Sequence, residues 1–326
     1  MTCFSLVDYI NNPNNLQDMK SDKMSFRQRK ELNLKLSQIL EVIDSDHRRD
    51  VANRIRDCGT YIEGMFSKTS KNHKITRANF CKHRLCPLCA WRRSRKTYGE
   101  LIQVVNEIGS RGSYRFIFLT LTVKNVKGDD LKSEIEHIFH SWDKLKKRKE
   151  FQNSVKGFFR NLEVTYNDKT KEYHPHIHAL LCVKDSYFNG RNYIKQSDWQ
   201  RLWKECCEVD YEPQVDVRVV KDRENKGYER AVAEVGKYTV KAYDYLTHSL
   251  EEDVEIVKTL EIALHRKRLT VFGGLLSEVK KELQIKDNEE LTDDGDDSIY
   301  FDTNDEIVRT VLTWNAGLKM YDIEYK

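Results

Sequence analysis

Residues 173–182 read YHPHIHALLC and concentrate side chains suited to metal chemistry. In an extended strand alternate side chains share a face. His174, His176 and His178 therefore point one way, while Ile177, Ala179 and Leu181 mix apolar bulk into the other face. Two imidazoles two residues apart can hold one divalent cation from the same side. The competing reading is a half-buried edge strand whose histidines face water. Glu163 lies thirteen residues before His176. Residues 162–166 include the strand-favouring Val164, Thr165 and Tyr166, and Asn167-Asp168-Lys169-Thr170 reads as a turn. The two strands then form an antiparallel hairpin that sets Glu163 beside the histidine pair. Two imidazoles and a carboxylate leave positions open for a substrate oxygen. Without the histidines, Glu163 would read as a solvated strand carboxylate.

A second constellation is CKHRLCPLCAWRRSRK, which starts at Cys81. Cys86-Pro87-Leu88-Cys89 is a Cys-x-x-Cys knuckle, and Cys81 lies five residues before it. A tetrahedral structural zinc needs a fourth ligand, usually Cys or His. Cys58 is the first choice, because a hairpin over 60–80 returns the chain beside Cys81; His83 and then His73 are the alternatives. A redox Cys-x-x-Cys normally opens a helix in a βαβ setting, and three closely spaced cysteines argue against it. The zinc would anchor a helix over 91–108 that presents Arg92, Arg93, Arg95 and Lys96, a candidate nucleic-acid contact. The plain alternative is a solvated helix face.

These residues must be positioned by the rest of the chain. At 326 residues it holds one large or two modest domains with a sizeable core. Residues 1–24 are polar and aperiodic and read as a flexible N-terminus. Over 25–56 the recurring Leu32, Leu36, Ile39, Val42 and Ile43 predict one or two helices, and TYIEGMF and ITRANF a hairpin. Residues 116–123 alternate Phe116, Phe118, Thr120 and Thr122 with Ile117, Leu119, Leu121 and Val123, as a central strand would. Helices are expected over 128–149 and 197–209, with a strand over 214–220. Strands paired through hairpins between helices indicate an α+β domain on an antiparallel sheet flanked by helices. Residues 231–246 contain one breaker, Gly236, and read as a helix. Three- and four-residue steps would put Glu234, Tyr238, Lys241 and Tyr245 on one stripe of it. Near the C-terminus, 307–326 reads as a hairpin about Asn315-Ala316-Gly317.

Charge is unevenly spread. The net value is only +4, but the acidic linker 287–306 holds ten acids and no base, so setting it aside leaves +14. A body so basic suits a surface that neutralises phosphates. A further basic cluster occupies Lys144, Lys146, Lys147, Arg148 and Lys149. No run of 18 apolar residues and no signal-peptide pattern is present. A cytoplasmic protein without a membrane partner is expected. The cysteines are clustered, which fits a reducing compartment and a metal site better than a disulfide framework.

The FLTLT strand, the His176-Ile177-His178 pair and EVGKYTVKAYDY over 234–245 together resemble the HUH endonuclease superfamily. More narrowly they are similar to the plasmid rolling-circle replication initiator (Rep) proteins of Gram-positive bacteria, in the subgroup with one catalytic tyrosine and a nearby glutamate. The likeness runs from about residue 50 to the C-terminus, with the motifs in order, and related initiators carry a similar Cys-Pro-x-Cys segment followed by Trp-Arg-Arg. It implies an HUH nuclease domain over 111–286 behind a helical, zinc-binding region over 25–110. It implies Mg²⁺ or Mn²⁺ on His176, His178 and Glu163, and Zn²⁺ on Cys58, Cys81, Cys86 and Cys89. It singles out Tyr238 over Tyr243 and Tyr245 as the nucleophile, with Lys237 or Lys241 assisting and Glu234 activating water to end a round. The activity implied is metal-dependent single-strand nicking and strand transfer at a plasmid double-strand origin. Single-stranded DNA, a host helicase and the replication machinery are the implied partners, and no oligomeric state follows. Two other classes remain: a zinc-dependent DNA-binding regulator without catalysis, and an HUH transposase or relaxase. His174 falls outside the motif pair.

Overall fold

In the computed structural model the described residues are 24–43, 49–67, 69, 73–220, 227–236, 239–286, 290–292 and 306–325. The N-terminal stretch up to residue 23, most of the acidic linker, Lys237 and Tyr238 lie outside them. In chain order the elements are α1 (Phe26–Ile43), α2 (Arg49–Asp57), β1 (Tyr61–Ser67), β2 (His73–Ala78), α3 (Pro87–Ser110) and β3 (Tyr114–Thr122). Then come α4 (Gly128–Lys147), α5 (Lys149–Ser154), β4 (Val155–Asn167), β5 (Glu172–Lys184), α6 (Gln196–Cys207) and β6 (Val215–Val219). The last are α7 (Gly227–Val235), α8 (Leu250–Leu264), β7 (Thr270–Gly274), α9 (Leu275–Glu282), β8 (Ile307–Asn315) and β9 (Met320–Tyr325). The fold is α+β with two antiparallel sheets.

The chain divides into two compact units. The first comprises Met1–Lys96, Leu246–Val257 and Asn288–Lys326. Its sheet runs β2-β1-β8-β9, so the C-terminal hairpin pairs along β1, with Ile62 opposite Leu312. The expected N-terminal helices are α1 and α2, and the expected hairpins are β1–β2 and β8–β9. Gly59 links α2 to β1 at φ +68, a conformation side chains disfavour. A Cβ there would also stand 2.7 Å from the Leu88 side chain, so the turn requires glycine on both counts.

The second unit comprises Thr97–Tyr245 and Lys258–Asp287. Its sheet runs β6-β3-β5-β4-β7. The histidine strand β5 is thus central, and the edge-strand alternative is excluded. One face of the sheet carries Ile117, Leu119, Leu121, Ile177, Ala179 and Leu181 against Trp142 of α4 and Trp199 and Trp203 of α6. Losing a buried ring of that size typically costs about 3–5 kcal/mol. The opposite face carries Phe116, Phe118, Leu180 and Cys182 against Leu101 and Ile108 of α3, Val232 and Val235 of α7 and Leu276 of α9. Both faces of β3 and β5 are covered, as their nearly continuous apolar run requires.

One expected element is different. The helix predicted over 231–246 ends at Val235, where the Gly236 N–H closes a last turn on the Val232 carbonyl at 2.8 Å. Beyond it the chain is extended at Lys241 (φ −80, ψ 141), and the Thr239 carbonyl accepts from the Val164 N–H of β4 at 2.7 Å. Glu234 and Lys241 are therefore not on one helical stripe. The cause is the neighbouring strand. β7 pairs with β4 only over Gly157 to Asn161. Farther along, the β4 N–H groups of Leu162 and Val164 still need acceptors, and Leu269 and Thr239 supply them. Thr239 and Val240, both β-branched, suit the extended path.

Candidate metal site and thiol cluster

The β4–β5 hairpin aligns Glu163 with His176 and Asn161 with His178. Its turn is set by Asn167, whose Oδ1 accepts from the Lys169 N–H at 2.9 Å, while its carbonyl accepts from the Lys171 N–H at 2.8 Å. A slip of one residue would send every imidazole to the apolar face. Facing β5 from β3, Thr120 opposes His178 and Thr122 opposes His176.

The side chains converge as this register demands. Glu163 Oε2 lies 3.0 Å from His178 Nε2 and 3.5 Å from His176 Nε2, and the two Nε2 atoms are 3.2 Å apart. His176 and His178 are each 8% exposed and Glu163 is 4% exposed, so none of the three is a solvated strand residue. His176 Nδ1 faces the His174 carbonyl at 3.1 Å and must donate to it, which leaves an Nε2 lone pair pointing into the cluster. His178 Nδ1 meets the Thr120 hydroxyl at 3.1 Å. A hydroxyl both donates and accepts, so Thr120 can follow His178 through either tautomer. With the proton on Nδ1, two nitrogen lone pairs and a carboxylate oxygen aim at one point. That donor set fits a divalent cation. His174 is drawn in as well, stacked on His176 at 5.0 Å and held by Asn125 Oδ1 at 2.8 Å from its Nδ1.

A cation from a distant segment, Lys241, adjoins the cluster. Lys241 Nζ is 3.2 Å from Glu163 Oε1. Burial alone would raise the Glu163 pKa, but the adjoining His176 and His178 rings and the Lys241 charge hold the carboxyl well below the usual range. Burial opposes the Lys241 charge too, yet Glu163, with smaller contributions from Asp244 and Glu234, raises its pKa and keeps it an ammonium. Glu234 lies in the last turn of α7. Tyr243 is 52% exposed and Tyr245 is buried in the core at 1%. Lys237 and Tyr238 lie outside the described residues.

Asp244 escaped the sequence reading. Its Oδ2 is buried without a hydrogen-bond partner, and burial, helped by the Glu163 charge, pushes its pKa up to about 6 against the pull of Lys241. The folded state therefore holds this proton more tightly than the unfolded chain does. Below the ordinary carboxyl value the group is neutral in both states; as pH rises through about 6 its ionisation costs stability. Asp244→Asn is expected to raise the melting temperature at pH 8 and to change it little near pH 4. A thermal scan at the two pH values checks this, and equal shifts at both would rule out the titration.

In the first unit, four cysteines from three places meet. Cys58 Sγ lies 3.5 Å from Cys89 Sγ and 3.5 Å from Cys86 Sγ, and Cys81 Sγ lies 3.7 Å from Cys89 Sγ. All four are free thiols. A tetrahedron with metal–sulfur bonds of about 2.3 Å has sulfur–sulfur edges of about 3.8 Å, so this spacing suits one ion. Pro87 opens α3 at the first helical position, where its missing N–H is harmless, and Cys89 follows within that turn. His83, the first alternative to Cys58, instead uses Nδ1 to accept from the Leu85 N–H at 3.3 Å. The His73 side chain lies outside the described ones.

The basic start of α3 is engaged within this unit. Arg92 is 2% exposed and donates to the Leu291 carbonyl at 2.6 Å and the Thr292 carbonyl at 3.1 Å. Lys96 donates to the Glu290 carbonyl at 3.1 Å, and Arg93 to the carbonyls of His83 and Lys82. Arg95 sits 5.8 Å from the Trp91 ring. Arg93 and Arg95 are half-buried, the more open pair of the four.

Residues 72–322 match the profile described as replication protein. The chain belongs to the replication protein family. This replication protein is 38% identical over 308 residues to "Protein rep" of Streptococcus pneumoniae serotype 2 (strain D39 / NCTC 7466), covering 93% of this chain and 92% of the relative. It is 36% identical over 306 residues to "Protein rep" of Lactiplantibacillus plantarum, covering 91% and 95%. It is 38% identical over 290 residues to "Protein rep" of Bacillus amyloliquefaciens, covering 83% and 84%. No solved structure matches the chain. Among the described residues no helix of this replication protein is long and apolar enough to cross a membrane.

Proposed function

We propose that this replication protein initiates rolling-circle replication of a plasmid by nicking one strand of the double-strand origin. The observation that carries the reading is the convergence of His176, His178 and Glu163 on one point of a central strand, with Lys241 held against Glu163 at 3.2 Å. Mg²⁺ or Mn²⁺ held there would supply Lewis-acid polarisation of the scissile phosphate. Imidazole ligands favour Mn²⁺ and cellular supply favours Mg²⁺. Thr120 and the His174 carbonyl orient the two imidazoles. Lys241, kept charged by Glu163, neutralises phosphate charge on the DNA.

The nucleophile is Tyr238. It directly precedes Thr239, whose carbonyl is bonded to β4 one residue from Glu163. Tyr245 is buried, which favours Tyr238 further. The phenol oxygen attacks phosphorus, the bond to the 3′ oxygen breaks, and that oxygen takes up a proton to become the 3′-OH primer. The phenol proton leaves to solvent, with Lys237 or Lys241 lowering its pKa. The product is a 5′-phosphotyrosine, and the opened strand passes to a host helicase and polymerase. Cys58, Cys81, Cys86 and Cys89 would hold a Zn²⁺ that would order the first unit, whose Arg93 and Arg95 contact DNA phosphates while Arg92 and Lys96 hold 290–292.

Incubation with supercoiled origin plasmid and Mg²⁺ or Mn²⁺ tests the reading. A nicked plasmid carrying a denaturant-resistant protein adduct is expected, and Tyr238→Phe should form none. Nicking without any adduct would refute the tyrosine mechanism.

Glu234 then has a separate part. A single tyrosine is consumed at initiation, so ending a round needs another nucleophile, and a carboxylate can activate water. Glu234→Ala is expected to nick normally but to accumulate products longer than one plasmid unit. Unit-length products made at the normal rate would exclude this role.

A further inference from the structure

We infer that α1, distant in sequence from all four cysteines, supplies the outer electrostatic layer of the metal site through Lys30 and Asn33; this rests on the zinc reading of those thiols. The two side chains are three residues apart, on one face of the helix, and both are completely buried. Lys30 Nζ donates to the Cys58 carbonyl at 2.9 Å and also to the Arg56 carbonyl. Neither acceptor carries a full charge, so the ammonium is buried without a carboxylate bonded to it among the described residues. Such a group is costly unless a negative charge stands close by. Four thiolates around a divalent ion carry a net charge of about −2. The thiol cluster supplies most of that negative charge, with a smaller share from Asp57.

Asn33 points to the same conclusion independently. Its amide lies 3.2 Å from Cys86 Sγ with Oδ1 toward the sulfur, and its Nδ2 is a buried donor without a partner. That arrangement suits a protonated thiol. A metal-bound thiolate only accepts, and the amide turned over presents the otherwise orphaned N–H to it. The Cys81 backbone N–H already donates to Cys58 Sγ at 3.3 Å. With these donors in place the sulfurs are stabilised as thiolates, the state zinc requires.

The full-length protein, loaded with Zn²⁺ or Co²⁺, tests this. Lys30→Met should weaken Zn²⁺ binding by roughly 10- to 100-fold in competition with a chelator. It should also move the thiolate-to-Co²⁺ charge-transfer band to longer wavelength, because losing a nearby positive charge raises the sulfur donor level. A side chain that merely packs would lower the melting temperature and leave the band in place. Asn33→Ala should shift the band the same way by less, and it carries the test if Lys30→Met does not fold. Unchanged affinity and an unchanged band in the variants, beside unaltered protein that binds one ion per chain, would overturn the role of α1 alone. Failure of the unaltered protein to bind Zn²⁺ or Co²⁺ would instead sink the zinc reading, and this inference with it.

Discussion

Alanine at His176 and His178 together is expected to lower cleavage of origin plasmid by roughly 10²- to 10³-fold or more, with binding to origin duplex nearly intact. The two imidazoles and Glu163 converge on one point. His176 is oriented by a main-chain carbonyl at 3.1 Å and His178 by Thr120 at 3.1 Å, so neither ring must reorganise to accept a cation. Removing both leaves Glu163 with Lys241 alone at 3.2 Å, an ion pair without the imidazole donors that complete the site. Thr120→Val should give a graded version of the loss, roughly 10-fold weaker metal binding with the ligands still present. A chelator should reproduce the double variant, and added Mn²⁺ should rescue Thr120→Val before it rescues the alanines. Undiminished cleavage by the double variant would remove the metal from the mechanism.

The convergence of Glu163 with His176 and His178 was legible in the sequence because strand geometry is local. Alternation fixes which histidines share a face, and a short turn fixes the register of two adjacent strands. Glu163 and His176 are joined by a hairpin whose turn begins at Asn167, and they came out directly opposite. Cys58 was reachable by the same logic, since the β1–β2 hairpin folds the chain back toward Cys81 and leaves the Cys81 N–H 3.3 Å from Cys58 Sγ.

Contacts made at long range were less legible. The segment after Gly236 has helix-compatible spacing, but β7 leaves β4 short of acceptors, and the Val164 N–H takes the Thr239 carbonyl instead. No local pattern announces that demand. Asp244 was missed for a similar reason: its carboxyl is perturbed first by burial in the tertiary fold, and then by Lys241 and by Glu163, which arrives from β4. Likewise β8 reads as one arm of a terminal hairpin, while its pairing with β1 joins residues some 250 positions apart in sequence. The basic cluster at the start of α3 showed its charges but not their acceptors, because the carbonyls of Glu290, Leu291 and Thr292 lie in the acidic linker.

Serine at Cys58 or Cys89 is expected to abolish zinc binding and to unfold much of the first unit, the largest stability effect foreseen for a single substitution. The cluster ties the end of α2, the segment before α3 and the first turn of α3 to one point, with Cys58, Cys86 and Cys89 buried. Structural zinc sites in small peptides bind with about 10–16 kcal/mol at neutral pH. A domain is stable by only about 5–15 kcal/mol, so losing the ion exceeds what the apolar contacts of α1 and the four-stranded sheet can offset. Serine keeps the shape of cysteine but is not a comparable zinc ligand, so the effect is one of metal and not of volume. The second unit has its own core, built on Trp142, Trp199 and Trp203, and its sheet does not include the thiols. Limited proteolysis of the full chain should accordingly cut within residues 49–96 of the variants while 114–220 remain protected. Elemental analysis should fall from one zinc per chain to nearly none. Zinc-free protein that is folded and resists protease like the unaltered chain would show that the thiols pack without a metal.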